Sequence, residues 1–272
     1  MKFFTKKSLG QHFLLNPSTI DKILSKACVS SEDRVLEIGP GPGLMTARLA
    51  QKAGRVIAVE KDTGLLKVLQ EKMAEFSHVT LLEGDFLSMD LKNILIPDDG
   101  PWKVIANLPY NVATEIIFRL FESRRFFSSF YLMVQREVAE RLVARPNADL
   151  PKDYGFLSVM SQLYSANRIV MRLPPGAFTP PPKVHSAIVE FQVSQTPRLD
   201  VADEDLFRKV VQAAFQQRRK TIENSLQGGF SHLSREVIRE ALRASGIEPS
   251  LRAETIAPER FAALARQLAV TV

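Results

Sequence analysis

Four apolar runs in this chain each end on residues able to do chemistry. Glu37-Ile38-Gly39-Pro40-Gly41-Pro42-Gly43 closes the first, and its glycines permit a tight turn and close backbone approach to a ligand. A dinucleotide-binding G-x-G-x-x-G needs glycine at position 44, where Leu44 stands. Pro40 and Pro42 also remove amide donors that a phosphate cradle uses. The loop therefore suits an uncharged or cationic group, such as the methionine part of S-adenosylmethionine, better than a diphosphate. Glu60 ends the second run, 19 residues beyond Gly41, where an acidic residue commonly accepts from the ribose hydroxyls of an adenosine-containing cofactor. Asp85 ends the third in Gly84-Asp85-Phe86, placed to receive an adenine amino group with Phe86 packing nearby. Taken alone, such an aspartate is also a helix N-cap or turn residue.

Asn107-Leu108-Pro109-Tyr110 ends the fourth run. An aromatic exocyclic amine delocalises its lone pair into the ring, so it attacks a methyl sulfonium poorly until it is drawn toward sp3 geometry. Two acceptors do that. The Asn107 side-chain oxygen and the Leu108 carbonyl can each take one amine hydrogen, while Tyr110 stacks on the base. Pro109 keeps Leu108 extended, with its carbonyl outside any helix. Read alone, the tetrapeptide is a strand-to-helix turn.

The elements that must hold these residues read as an open, mostly parallel α/β sheet. Runs at 34–39, 55–60, 79–85, 102–107 and 130–134 are short, apolar and rich in β-branched residues, as buried strands are. Helical patterns at 44–53, 65–76 and 113–121 alternate with them, which implies β-α-β crossovers and a ligand site at the carboxyl ends of the strands. Further helices are expected at 136–144 and 154–165, and a last strand at 186–193. The polar stretch 195–205, with Pro197, is the best linker. Beyond it only helical periods occur, at 206–217, 221–226, 234–245 and 258–268, with Ser231, Ser234 and Pro258 as start residues. The expected domains are 1–195 and a small all-helical 196–272.

The 272 residues are 45% hydrophobic and 24% charged, ordinary values for a globular chain. One cysteine, Cys28, makes neither an internal disulfide nor a cysteine metal cluster, so the fold needs no oxidising compartment and the cytoplasm is the simplest location. No signal-peptide pattern or run of about 18 apolar residues appears. Net charge is +6. Between Arg208 and Arg243 stand eight basic residues (Arg208, Lys209, Arg218, Arg219, Lys220, Arg235, Arg239, Arg243) against three acidic ones (Glu223, Glu236, Glu240), a local +5. Such a cluster suits a nucleic acid, or it is a solvated helical face. Lys2, Lys6 and Lys7 can add phosphate contacts or form a solvated tail.

The chain resembles the KsgA/RsmA family of ribosomal RNA adenine N6,N6-dimethyltransferases almost end to end. Five separated blocks carry the resemblance in family order: 9–14 (LGQHFL), 37–43, 107–110, 178–184 (FTPPPKV), and 215–221 (FQQRRKT) followed by Asn224-Ser225-Leu226. It implies a Rossmann-like class I methyltransferase sheet with a small helical C-terminal domain. It also implies that S-adenosylmethionine is the methyl donor to two adjacent adenosines near the 3′ end of small-subunit (16S) ribosomal RNA. Carried over by position, His12, Leu14, Gly39, Glu60, Asp85 and Asn107 contact the cofactor. Asn107 and Tyr110 also hold the target adenine, and Phe178 closes on it. Family members often carry asparagine where His12 stands. Arg218, Arg219 and Lys220 touch RNA or brace a domain junction.

The expected enzyme needs no metal or covalent intermediate, because orientation, stacking and exclusion of water suffice for a direct methyl transfer. The expected partner is small-subunit RNA within a pre-ribosomal particle, with no membrane, and the expected state is a monomer. Alternatives are a large-subunit RNA adenine methyltransferase, a DNA N6 methyltransferase, or a ribosome assembly or transcription factor on the same fold.

Overall fold

The computed structural model describes residues 12–95, 100–146 and 153–270. These form two compact units: the residues up to Ala139 with Arg168–Val193, and Glu140–Asn167 with the residues from Ser194 on.

The first unit is the α/β sheet. Its elements in chain order are β1 (Phe13–Leu14), α1 (Pro17–Lys26), β2 (Arg34–Ile38), α2 (Leu44–Ala50), β3 (Arg55–Glu60), α3 (Thr63–Met73), β4 (Val79–Glu83), β5 (Trp102–Asn107), α4 (Ala113–Glu122), β6 (Phe127–Gln135) and the start of α5 (Arg136–Val143). β7 (Ser165–Leu173), β8 (Phe178–Thr179) and β9 (Ser186–Val193) complete it. Seven strands pair in the order β4-β3-β2-β5-β6-β9-β7. β4 through β6 are parallel, and β9 runs antiparallel to β6. The chain moves outward from β2 to β4, then crosses back to place β5 on the other side of β2. This reversal opens a crevice between the carboxyl ends of β2 and β5.

The near-continuous apolar strands predict burial on both faces, and Val35, Leu36, Val56, Ala58, Val104, Phe130, Leu132 and Val134 are all fully buried. On one face Phe121 of α4 meets Phe130 and Phe191 with ring centroids 5.8 Å from each. On the other, Ile20, Ile23 and Leu24 of α1 join Val35, Ile105 and Tyr131 in one cluster. α1 begins where Asn16 caps it, its side chain accepting from the Thr19 amide at 3.1 Å, with Pro17 in the first turn.

Sequence pattern predicts no element over residues 13–26 or 166–173, and it places Ser165, the first residue of β7, at the end of a helix. β1 and β8 are two residues each and pair only with each other, Phe13 with Thr179 and Leu14 with Phe178, so neither is long enough to show a period. β7 sits at the sheet edge with Arg168 and Arg172 exposed. Charged residues of that kind keep an edge from pairing further and erase the apolar run that marks a strand.

The second unit gathers α6 (Phe156–Tyr164), α7 (Glu204–Gln216), α8 (Ile222–Gly229), α9 (Arg235–Ala244) and α10 (Pro258–Ala269). Asp203, Thr221 and Ser234 cap α7, α8 and α9 through their side chains, and Pro258 opens α10. Every residue of α6 from Leu157 to Tyr164 is buried. Beside it, Tyr154 donates to the Ile256 carbonyl at 2.9 Å, and the Phe215 ring lies 5.7 Å from both Tyr154 and Phe261. Among the described residues no helix is long and apolar enough to cross a membrane.

Candidate active site

The crevice at the carboxyl edge of β2, β3, β4 and β5 is a cleft of about 920 Å3 including its open mouth. His12, Gly39, Glu60, Asp85, Asn107, Leu108 and Tyr110 all line it. Leu14 lines a smaller cavity beside it, which shares Phe13, Gly39 and Asn107 with the main cleft and reaches Glu37. Phe178 is on neither wall. It is 3% exposed and packs with Leu14 in the core.

The glycine loop is shaped by its neighbours. Gly43 stands before α2 at φ +82°, and a Cβ there would lie 2.4 Å from Leu69 Cδ2. Gly41, at φ +59°, is also too tight for a side chain, since a Cβ would lie 2.9 Å from the Phe13 ring. The Gly41 amide is already used, donating to Glu60 Oε2 at 3.0 Å. Lys72 closes the loop from outside by donating to the Pro42 carbonyl at 2.6 Å. A loop with two prolines and its Gly41 amide committed to a carboxylate is a poor diphosphate cradle.

Glu60 is 6% exposed, and its Oε1 accepts from the Asp62 amide at 2.8 Å. Burial raises its pKa, and the amides of Asp62 and Gly41 draw it back. A carboxylate has about four acceptor sites, so each oxygen retains capacity for a ligand hydroxyl. Asp85 does two things at once. Its Oδ1 accepts from the Leu87 amide at 3.0 Å, capping a 3-10 turn, and its Oδ2 pairs with Lys61 Nζ at 2.7 Å. The bond to Lys61 is the main reason that its carboxyl lies below the usual range.

Glu37 carries no role in the sequence reading beyond membership of the loop. It is 1% exposed, and among the described residues its Oε2 has no hydrogen-bond partner. Burial pushes its carboxyl up to about 8, Thr46 draws it partway back, and Glu60 pushes it further up. The signal available in the sequence was an acid inside an otherwise apolar strand, RVLEI.

At the end of β5, Asn107 Nδ2 donates to the His12 carbonyl at 2.8 Å, which leaves Oδ1 as the atom able to accept from a ligand. Leu108 is 1% exposed and is held by its amide on the Met133 carbonyl at 3.1 Å. The Tyr110 hydroxyl lies 2.6 Å from Ser186 Oγ on β9; burial raises its pKa by more than that bond lowers it. The phenol therefore stays neutral at ordinary pH and offers a ring, not a charge. Ser186, 76 residues away in sequence, gave no signal.

Arg218, Arg219 and Lys220 lie in the second unit, all exposed, between α7 and α8. Elsewhere in the basic cluster Arg239 Nη2 lies 2.8 Å and Arg235 Nη1 3.4 Å from Glu223 Oε1, a carboxylate with 11% of its side chain exposed. Lys2, Lys6, Lys7 and the first three residues of the LGQHFL block lie outside the described residues. Cys28 is exposed and does not line the cleft. Among the described residues no three His, Cys, Asp or Glu side chains cluster in a way that could hold a metal ion.

A parallel sheet that reverses direction at β2 and β5, with a glycine loop, an acid ending β3 and Asn-Leu-Pro-Tyr ending β5, defines a class I methyltransferase. The crystal structure of a dimethyladenosine transferase from Plasmodium falciparum superposes with a TM-score of 0.78, at 24% identity, over 93% of this chain and 96% of that one. That of the 23S rRNA methyltransferase ErmE gives 0.70, at 26% identity, over 94% and 99%. Within the class the chain belongs to the ribosomal RNA adenine dimethylase family, whose model matches residues 2–269. It is 45% identical over 261 residues to ribosomal RNA small subunit methyltransferase A of Syntrophotalea carbinolica, covering 96% of each chain. It is 42% identical over 264 residues to the protein of that name from Geobacter metallireducens, covering 97% of this chain and 95% of the other.

Proposed function

We propose that this protein transfers methyl groups from S-adenosylmethionine to the N6 amines of two adjacent adenosines near the 3′ end of small-subunit ribosomal RNA, giving N6,N6-dimethyladenosine. It acts in the cytoplasm as a monomer on a pre-ribosomal particle, with catalysis in the unit made of the residues up to Ala139 and Arg168–Val193; the expected boundary at 195 misses that 140–167, which includes the buried helix α6, belongs to the helical unit. The observation that carries this reading is that Glu60, Asp85 and Asn107-Leu108-Pro109-Tyr110 line one cleft, in a chain matched over nearly its whole length by small-subunit enzymes.

The residues present fit the cofactor. Glu37 offers a buried oxygen without a partner beside the glycine loop, which suits the cationic amino group of a methionine. Glu60 has acceptor capacity left for ribose hydroxyls, and Asp85 for an adenine amino group. When bound, S-adenosylmethionine supplies a methyl group already activated on a sulfonium.

The protein's part is to aim the nucleophile. Asn107 Oδ1 and the Leu108 carbonyl accept the two hydrogens of the target amine, which draws its lone pair out of the ring and turns it along the line of attack. Tyr110, anchored by Ser186, is the stacking platform. No strong base is needed, because the amine becomes acidic once methylated and sheds its proton to solvent. The second transfer requires the cleft to hold a methyl group beside Asn107. Phe178 supports this arrangement from behind, pairing with Leu14 so that His12 and Phe13 lie against the cleft. Arg218, Arg219 and Lys220 meet the RNA backbone as exposed cations.

Labelled S-adenosylmethionine incubated with undermethylated small subunits, followed by nuclease digestion and nucleoside mass spectrometry, tests the reading. N6,N6-dimethyladenosine at adjacent positions is expected. No transfer to small subunits by protein that binds the cofactor would overturn it.

A further inference from the structure

We propose that the imidazole of His12 occupies the target-base position of the cleft and is displaced by the entering adenine, so that His12 filters which RNAs are methylated. The inference rests on the reading of Tyr110 as the base platform and adds a competitor for its face.

The His12 and Tyr110 rings are stacked, with centroids 5.5 Å apart and planes 27° from parallel, and both line the same cleft. That spacing is within the range of one stacked pair, and a base inserted between them would need roughly twice as much. Stacking of adenine on this face of Tyr110 therefore requires the imidazole to leave. Tyr110 is the fixed member, its hydroxyl 2.6 Å from Ser186 Oγ, on a residue that is fully buried. His12 is the movable one. Its ring is half-buried and, among the described residues, has one polar tether, Nδ1 lying 2.8 Å from the Pro180 carbonyl. Since a carbonyl only accepts, Nδ1 carries the proton.

The main chain need not follow the ring. The His12 carbonyl accepts from Asn107 Nδ2 at 2.8 Å, and Phe13, the next residue, is buried and registered with Thr179. A turn about the His12 side-chain bonds clears the platform while Asn107 keeps its orientation. The displaced ring gives up one stack and one hydrogen bond, so the open form is the minor one. If it is populated at about one part in ten, base binding weakens about tenfold. An adenosine in a folded RNA held by contacts elsewhere overcomes this, whereas one in a short RNA has little else to hold it.

The test compares wild type, His12→Ala and His12→Phe on two substrates, undermethylated small subunits and a short RNA hairpin with two adjacent adenosines. Calorimetry of S-adenosylmethionine binding monitors the fold and cofactor site. His12→Ala is expected to lower the hairpin KM roughly tenfold and the subunit KM by less, narrowing the preference for subunits. His12→Phe, which keeps a ring on Tyr110, retains the wild-type preference. A hairpin KM that is unchanged or raised in His12→Ala overturns the proposal. In wild-type protein, saturating hairpin should move the His12 ring resonances away from the ring-current position set by Tyr110. Resonances that stay put overturn it without any variant. If Tyr110→Ala binds the hairpin as well as wild type, the platform reading itself is wrong, a result distinct from a failure at His12.

Discussion

Glu37 and Glu60 are two buried acids on one cleft, and their surroundings set them different tasks. Glu60 takes two backbone amides, whereas Glu37 has an oxygen with no partner. Between pH 4.5 and about 8 folded Glu37 holds a proton that the unfolded chain has lost. Stability therefore falls as pH rises through that window. Glu37→Gln should flatten this slope, measured as urea midpoints from pH 5 to 8; an unchanged slope would place the titration elsewhere. Tyr110→Ala should weaken RNA binding by about 1–3 kcal/mol, the value of one base stack, and leave S-adenosylmethionine affinity near wild type. Glu60→Ala should do the reverse, and equal loss of cofactor binding in both would undo the division of roles. Most of these residues were legible in the sequence because they end strands, where chemistry collects. Ser186 and the Pro180 carbonyl were not, since only the fold brings residues 76 and 168 positions apart into contact.

The elements differ in how openly the sequence announced them. β2, β3, β5 and β9 are apolar runs bounded by polar residues and turns, and the expected ranges fall within a residue or so of the observed ones. β1 and β8 have no periodicity to read, yet they put His12 at the cleft and Leu14 at the smaller cavity beside it. The family pattern drew attention to that segment where propensity was silent. The turn into α2 shows how tightly an element is specified. Gly43→Ala would force a side chain into a left-handed conformation and against Leu69, which is fully buried. Strain of about 1–2 kcal/mol and overpacking of about 1–3 kcal/mol should together lower stability by about 2–5 kcal/mol. Chemical denaturation measures this, and a loss below about 0.5 kcal/mol would mean that the loop relaxes freely.

At the scale of the molecule, charge and chain path both carry consequences. The sequence places a net +5 between Arg208 and Arg243 but does not separate cations available to RNA from those holding the helices together. Replacing Arg218, Arg219 and Lys220 with Gln should reduce the slope of log affinity against log salt by about 2–3, near one per lost phosphate contact. Arg239→Gln should instead lower the melting temperature by leaving Glu223 short of a partner, with little change in slope. A triple variant with wild-type salt dependence would place the RNA contacts elsewhere.

The chain path also sets a timetable. Residues 140–167 belong to the second unit, but the chain returns to the first for 168–193 before the rest of the second is made. α6, buried from Leu157 to Tyr164, leaves the ribosome about 100 residues ahead of Phe261 on α10, so at about 5–20 residues per second it waits about 5–20 s for its helical neighbours. During synthesis the most apolar helix of the second unit is thus a nascent sticky segment, and the chain has to be shielded there or finished quickly.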